Sequence, residues 1–150
     1  EAGINISDVP MVHGAYNEEI GGHAMSTILE SGKEIDGVYC FNDEMAIGAI
    51  KTAIKAGKAV PGDIAIVGFD DITMSRYINP SLTTIRIDKV RWGHIAATTL
   101  IDMIKNKTKG RLITIPAELI IRQSTAALTS VYAKDAIAKG YFILLNITGD

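Results

Sequence analysis

Cysteine is nearly absent from this sequence: the single residue Cys40 has no second thiol with which to form an internal disulfide. A lone thiol is normal in a reducing compartment, so we expect a cytoplasmic protein. The sequence also has no large excess of charge of one sign: it contains 15 Lys and Arg and 17 Asp and Glu, which gives a net charge of -2. The basic surface that binds nucleic acid is therefore not predicted here, and any contact with DNA must come through another domain.

Long apolar runs are missing too. None approaches the roughly 18 residues of a membrane span, so no membrane contact is predicted. The first ten residues, "EAGINISDVP", have neither the basic region nor the apolar region of a signal peptide. The sequence does not begin with Met, which leaves open a segment upstream of Glu1.

What is present is a globular composition, with 47% apolar and 21% charged residues in a chain of 150. Strand-like runs alternate with helical patterns, which predicts an α/β fold with a doubly wound parallel sheet flanked by helices. The predicted strands are 9–14, 36–41, 63–69, 82–87, 111–115, 118–125 and 141–147, and the predicted helices are 18–31, 43–57, 89–106 and about 132–139.

The helices carry end signals and apolar stripes. Asn17, Asp43 and Asp88 are predicted N-caps. The helix from 43 spreads its apolar residues over roughly 200° of its wheel, which requires a second neighbour, either another helix of the domain or a partner subunit. The helix from 89 has a stripe formed by Ala96, Ala97, Leu100, Ile101 and Ile104.

Polar and aromatic residues follow the strands. Tyr16 follows the first predicted strand, Asn42 the second and the pair Asp70 and Asp71 the third. Ligands of doubly wound sheets bind outside the carboxyl ends of the strands, so these side chains would converge on a small polar ligand. We expect Asp70 to face that ligand and Asp71 to cap the following segment.

Signals of catalysis are weak. The three histidines lack metal-ligand spacing, and Cys40 lies inside a strand, where thiols are inert. Adjacent residues that leave a strand point in opposite directions, so Asp70 and Asp71 are not expected to share an acid-base site. No catalytic residue, metal site or cofactor is predicted, and the chain is not expected to be an enzyme.

Several segments together resemble the LacI family of transcriptional repressors. They are "FNDEMAIGAIKTAIKAGKAVPGDIAIVGFDD", "SRYINPSLTTIRID" and "ELIIRQST", in the order and spacing of the C-terminal part of that family's effector-binding region. The resemblance implies a periplasmic-binding-protein type I fold that is incomplete here, with mostly one subdomain. The function it implies is effector sensing: a small metabolite, expected to be a sugar, binds in an inter-subdomain cleft and controls operator binding by a helix-turn-helix domain absent from this chain.

The same resemblance assigns residues. It implies that Tyr16, Asn42 and Asp70 contact the effector. It also implies a homodimer whose interface includes Ile47, Lys51, Ser75 and Ile78, and allosteric control. Residues 1–125 would form a partial effector-binding domain that includes the returning helix 89–106, and the tail 126–150 stays unassigned.

One alternative to a regulator stays open. Periplasmic sugar-binding proteins of transport systems are similar in fold and share the "ND" and "GFD" segments, but they usually lack the segments matching "PSLTTI" and "RQST". A signal peptide upstream of Glu1 would favour the transport protein, and an upstream helix-turn-helix would favour the regulator.

Overall fold

The computed structural model describes residues 9–13, 15–110, 112–125 and 143–144. Its elements, in chain order, are α1 (Glu18–Glu30), β1 (Gly37–Tyr39), α2 (Asp43–Lys55), β2 (Ala65–Phe69), a 3-10 helix (Thr73–Arg76), β3 (Thr83–Arg86), α3 (Lys89–Asn106), β4 (Glu118–Ile120) and β5 (Ile143–Leu144). The α/β class predicted from the alternating pattern is confirmed.

The described strands form one sheet in the order β4-β3-β2-β1-β5. Strands β5, β1, β2 and β3 are parallel, with Val38 opposite Ile66, whereas β4 runs antiparallel to β3. The sheet is therefore mixed rather than wholly parallel. Because β1, β2 and β3 run the same way, the residues that follow them lie along one edge of the sheet.

Two of the predicted strands are wrong, and a third, 118–125, is a strand only over Glu118–Ile120 because residues 123–125 form a 3-10 turn. Residues 9–13 form no strand, and Pro10 cannot donate a hydrogen bond to a neighbouring strand. Residues 112–115 form none either: Leu112 is almost fully exposed, and none of the described strands pairs with this segment. Gly14, Arg111 and the predicted helix near 132–139 lie outside the described residues, and of the predicted strand 141–147 only Ile143–Leu144 is described, as β5.

The core lies between the sheet and the helix pair α1 and α2. Two glycines let these helices touch: a Cβ on Gly48 would lie less than 3.0 Å from the Glu18 carbonyl oxygen, and a Cβ on Gly21 would lie equally close to the Met45 backbone. The second neighbour required by the wide apolar arc of α2 is thus α1 of the same chain. Fully buried members of this core are Met25, Ile28, Val38, Cys40, Met45, Ile50, Ile66 and Leu82.

Helix α3 has the bounds predicted for it, but its apolar stripe is not covered. No residue of α3 is buried, and Leu100, Ile101 and Ile104 are all exposed to solvent. Helix α3 is therefore defined by its own periodicity and by the Asp88 cap, whose carboxylate accepts a hydrogen bond from Arg91 N, rather than by packing.

The described part of the chain contains no helix that is both long and apolar enough to cross a membrane.

The glycine contact between α1 and α2 predicts that replacing glycine by alanine lowers stability at this contact but not at an open site. Gly48→Ala should lower the free energy of unfolding by about 2 kcal/mol or more, because the new methyl group overlaps backbone that cannot move aside. Gly93→Ala is the matched control, since a Cβ there would meet no atom within 4 Å apart from its chain neighbours and the backbone of its own helix. Urea denaturation should show no loss for the control, and equal losses for both variants would contradict the close packing.

Candidate functional site

The edge at the carboxyl ends of β2 and β3 borders an open cleft of about 680 Å³. The cleft collects charged groups from three parts of the chain. They come from the turn after β2, from the connection between β3 and α3, and from the start of β4. Its lining includes Asp70, Asp71, Arg86, Asp88, Lys89 and Glu118. This is the position at which doubly wound sheets hold their ligands.

Tyr16 and Asn42 lie at the end of β1 and are joined to each other. The Asn42 side-chain amide donates to the Tyr16 carbonyl oxygen at 3.0 Å, while its oxygen accepts from Met45 N at 2.8 Å. Asn42, and not Asp43, is thus the N-cap of α2, so the cap predicted at Asp43 is wrong. The ring of Tyr16 is 57% exposed, which leaves it open to contact with a ligand.

Asp43 is instead a fully buried carboxylate inside the fold. It accepts hydrogen bonds from Ile72 N at 2.8 Å, from Thr84 Oγ1 at 2.5 Å and from Ser75 Oγ. A Cβ at Gly68 would overlap this carboxylate, so the glycine in "VGFDD" makes the room that Asp43 needs. The sequence could not indicate this role, because the three partners lie 29 to 41 residues away along the chain.

Asp70 is one of the carboxylates that border the cleft. Its side chain is 31% exposed, and Lys89 Nζ lies 3.1 Å from Oδ1. Its backbone N–H donates to the Ile85 carbonyl oxygen at 2.8 Å, which continues the pairing of β2 with β3 past the last residue of β2. Strand β2 is thus followed by a charged side chain beside the cleft, and contact of Asp70 with a ligand stays a prediction.

Burial beneath this edge raises the pKa values of two side chains. Burial raises the pKa of the Cys40 thiol, and the negative charge of Asp43 raises it further, so Cys40 stays protonated and inert. Burial also raises the pKa of the Tyr39 phenol, with smaller contributions from Cys40 and Asp70. Neither group is prepared for proton transfer.

Asp71 is almost completely buried and is held by arginines. Arg122 contacts Oδ1, while Arg86 lies 2.6 Å and Arg76 3.3 Å from Oδ2. Burial alone would raise the pKa of the Asp71 carboxyl, but hydrogen bonds from Arg122 and Arg86 outweigh it, and the pKa is lowered. The cap predicted at Asp71 is wrong: Ile72 precedes the 3-10 helix and no side chain caps it.

Reasoning from the sequence missed these arginines. Arg122 also donates to the Leu82 carbonyl oxygen at 2.7 Å, and Ser124 of the same segment donates to the Ile66 carbonyl oxygen at 2.6 Å. The segment "RQST" therefore fastens the end of the described domain across β2 and β3. The available signal was the second aspartate itself, since a carboxylate after a buried strand requires either a cation or several hydrogen-bond donors if it is not exposed.

The four residues predicted for a dimer interface are placed very differently. Ile47 is 4% exposed and Ser75 is fully buried, so these two side chains serve the core of the chain itself. Ile78 is half-buried against that core. Only Lys51 projects into solvent, where Nζ lies 2.6 Å from Glu18 Oε1 across an open groove of about 940 Å³ between α1 and α2.

Comparison with known proteins gives consistent results. The sequence profile described as a periplasmic binding protein-like domain matches residues 1–125. The transcriptional repressor PurR of Serratia proteamaculans is 39% identical over 127 residues, which are 84% of this chain and 37% of that protein. This chain thus spans well under half the length of that relative.

Two solved structures are similar in fold. One is a transcriptional regulator of the LacI family from Sanguibacter keddieii, with a TM-score of 0.67 and 34% identity over 77% of this chain and 44% of its own. The other is a LacI family regulator from Enterococcus faecium with bound ribose, with a TM-score of 0.58 and 33% identity over 73% of this chain and 40% of its own. The chain belongs to the periplasmic-binding-protein-like family and corresponds to the C-terminal part of the effector-binding region of a LacI-type transcriptional regulator.

Proposed function

We propose that this chain forms one wall of the effector cleft of a LacI-type transcriptional repressor, and that the effector is a small sugar. The observation that carries the proposal is Asp70, a partly exposed carboxylate after a central strand, on a cleft of about 680 Å³. A carboxylate there accepts hydrogen bonds from vicinal hydroxyl groups. The related regulator that holds ribose supports a sugar as the class of ligand.

Tyr16 and Asn42 would complete this wall. The exposed ring of Tyr16 offers an apolar face on which a sugar ring packs. Asn42 has a positioning role as well, because its amide already holds the Tyr16 backbone at 3.0 Å and fixes where that ring emerges. Both residues thus act at the end of β1, one strand away from Asp70.

The site supports binding rather than catalysis. Asp70 lies against Lys89, whereas Asp71 is enclosed by three arginines, so the two carboxylates do not form an acid-base pair. In the complete protein, effector binding would favour one arrangement of the two cleft walls, and this shift would change operator binding by a separate DNA-binding domain. Such a regulator acts in the cytoplasm, where operator DNA is located.

Effector binding is tested by calorimetry of the complete gene product with a panel that includes ribose, other sugars and purines. Asp70→Ala should lower the affinity for the bound sugar by about 10- to 100-fold, because it removes the charged group that accepts hydrogen bonds from the sugar. The matched control is Glu118→Ala, which removes an exposed carboxylate on the same cleft. An unchanged affinity of Asp70→Ala, or binding of purines alone, would contradict the proposal.

We also propose that the complete protein is a homodimer and that the surface next to the predicted interface residues takes part. Lys51 presents its charge there. Ile47, Ser75 and Ile78 would support that surface from inside the domain. Ser75 and Ile78 are sequence neighbours of Met74 and Tyr77, whose side chains are exposed. Methionine and tyrosine are enriched in interface surfaces.

The dimer proposal predicts the effect of two surface changes. Lys51→Glu should place like charges beside Glu18, and Tyr77→Ser should remove apolar contact area, so each should raise the dimer dissociation constant about tenfold or more. Sedimentation equilibrium of the complete gene product measures this constant. Lys33→Glu, an equal charge change at an exposed site outside the groove, is the control, and equal behaviour of all three variants would contradict this interface.

A further inference from the structure

The turn that carries Asp70 has an unusual backbone. Asp70 has φ 114° and Asp71 has φ 48°, so two consecutive residues with side chains lie at positive φ. Aspartate tolerates the value at Asp71, which is close to the left-handed helical region. The value at Asp70 lies beyond that region, where essentially only glycine is comfortable. The ligand-facing residue is therefore held in a strained conformation by its surroundings.

Contacts on both sides of the turn hold it in place. Before it, Asp70 N donates to the Ile85 carbonyl oxygen at 2.8 Å, and after it, Ile72 N donates to Asp43 at 2.8 Å. These backbone contacts fix the two ends of the turn. The strained residue itself is Asp70, and the residue directly after it is anchored by its own side chain.

That anchor is the Asp71 carboxylate with its three arginines. Arg86 comes from the end of β3, Arg122 from the segment after β4 and Arg76 from the 3-10 helix. The three belong to different parts of the chain, so the carboxylate cannot rotate to relax Asp70 without breaking ion pairs in several places. Asp71 N is also held, because it donates to Thr84 Oγ1 at 3.3 Å.

We infer that Asp71 is a positioning residue for Asp70: its arginine-bound carboxylate keeps the Asp70 backbone at positive φ and thereby aims the Asp70 carboxylate into the cleft. The biological use of this device rests on the proposed function, in which Asp70 contacts the effector. The backbone effect itself is independent of any ligand, and the following experiment measures it without one.

The strain at position 70 is measured by comparing glycine with alanine in the full chain. Both Asp70→Gly and Asp70→Ala remove the carboxylate and its contact with Lys89, but only glycine accepts φ 114°. The folding equilibrium constant should be about tenfold larger for the glycine variant. At the control position Thr27, exposed within α1, alanine should instead be favoured by about fivefold.

The role of Asp71 is measured by repeating the comparison at position 70 with Asp71→Asn in the background. Without the anchor the turn can relax, so the preference for glycine over alanine should fall from tenfold towards one. A general structural role for Asp71 would lower the stability of both variants equally and leave the tenfold preference intact, which would overturn the inference. Asp63→Asn, which removes a remote carboxylate that accepts from Ala59 N, should leave the preference unchanged.

Arg86→Gln provides a milder test should Asp71→Asn prevent folding. It removes one cation from Asp71 and leaves Arg122 and Arg76, so the glycine preference should fall only part of the way. An unchanged preference in this background would also overturn the inference. Failure to detect a sugar ligand would count against the proposed function and not against this result.

Lowering the pH protonates Asp71 and so removes its negative charge without a mutation. The folded pKa of Asp71 is lowered by its arginines, so its contribution to stability is complete above the unfolded value of about 4 and is lost as the pH falls through the folded pKa. The glycine preference at position 70, measured by urea denaturation from pH 7 down to pH 2, should therefore decrease in the acid range in which Asp71 becomes protonated. With Asp71→Asn in the background it should stay small at every pH. A preference that stays constant through acid unfolding would contradict the role of Asp71.

Discussion

Two buried carboxylates hold the described domain together at the edge formed by the carboxyl ends of β1, β2 and β3. Asp43 joins the start of α2 to the 3-10 helix and to β3, and Asp71 joins the end of β2 to β3, to the 3-10 helix and to the segment after β4. A buried charge is costly unless all of its hydrogen-bonding capacity is used. Each carboxylate therefore requires several distant partners at once, and that requirement makes the edge a single unit.

The two carboxylates also explain why a glycine and a shared hydroxyl group lie beside them. Gly68 leaves the space that the Asp43 carboxylate fills, and Thr84 serves both sides, since its hydroxyl group donates to Asp43 and accepts from Asp71 N. Hydrogen bonds at this edge therefore form a connected network, in which Thr84 contacts both Asp43 and the backbone of Asp71. These contacts support the turn that carries Asp70, whose partly exposed carboxylate borders the cleft.

Away from this edge the domain is built by ordinary packing. The glycine contact of α1 with α2 seals the core on one face of the sheet, whereas α3 lies outside that core with its apolar stripe exposed.

The sequence by itself determined the α/β class, the bounds of the three α-helices in the described residues to within two residues, and the position of Asp70 directly after a buried strand. These follow from local periodicity, from end signals and from the order of strands, all of which are written in neighbouring residues. It failed at residues 9–13 and 112–115, where the segments look like strands but pair with none of the described strands, because a strand depends on pairing outside its own segment. Only the tertiary structure decided that Asn42 caps α2, that Asp43 and Asp71 are buried and paired, and that Ile47 and Ser75 face inward. The physical reason is that a carboxylate after a strand has the same local pattern whether it caps a helix, meets a ligand or binds three arginines, and only distant residues brought close by folding distinguish these outcomes.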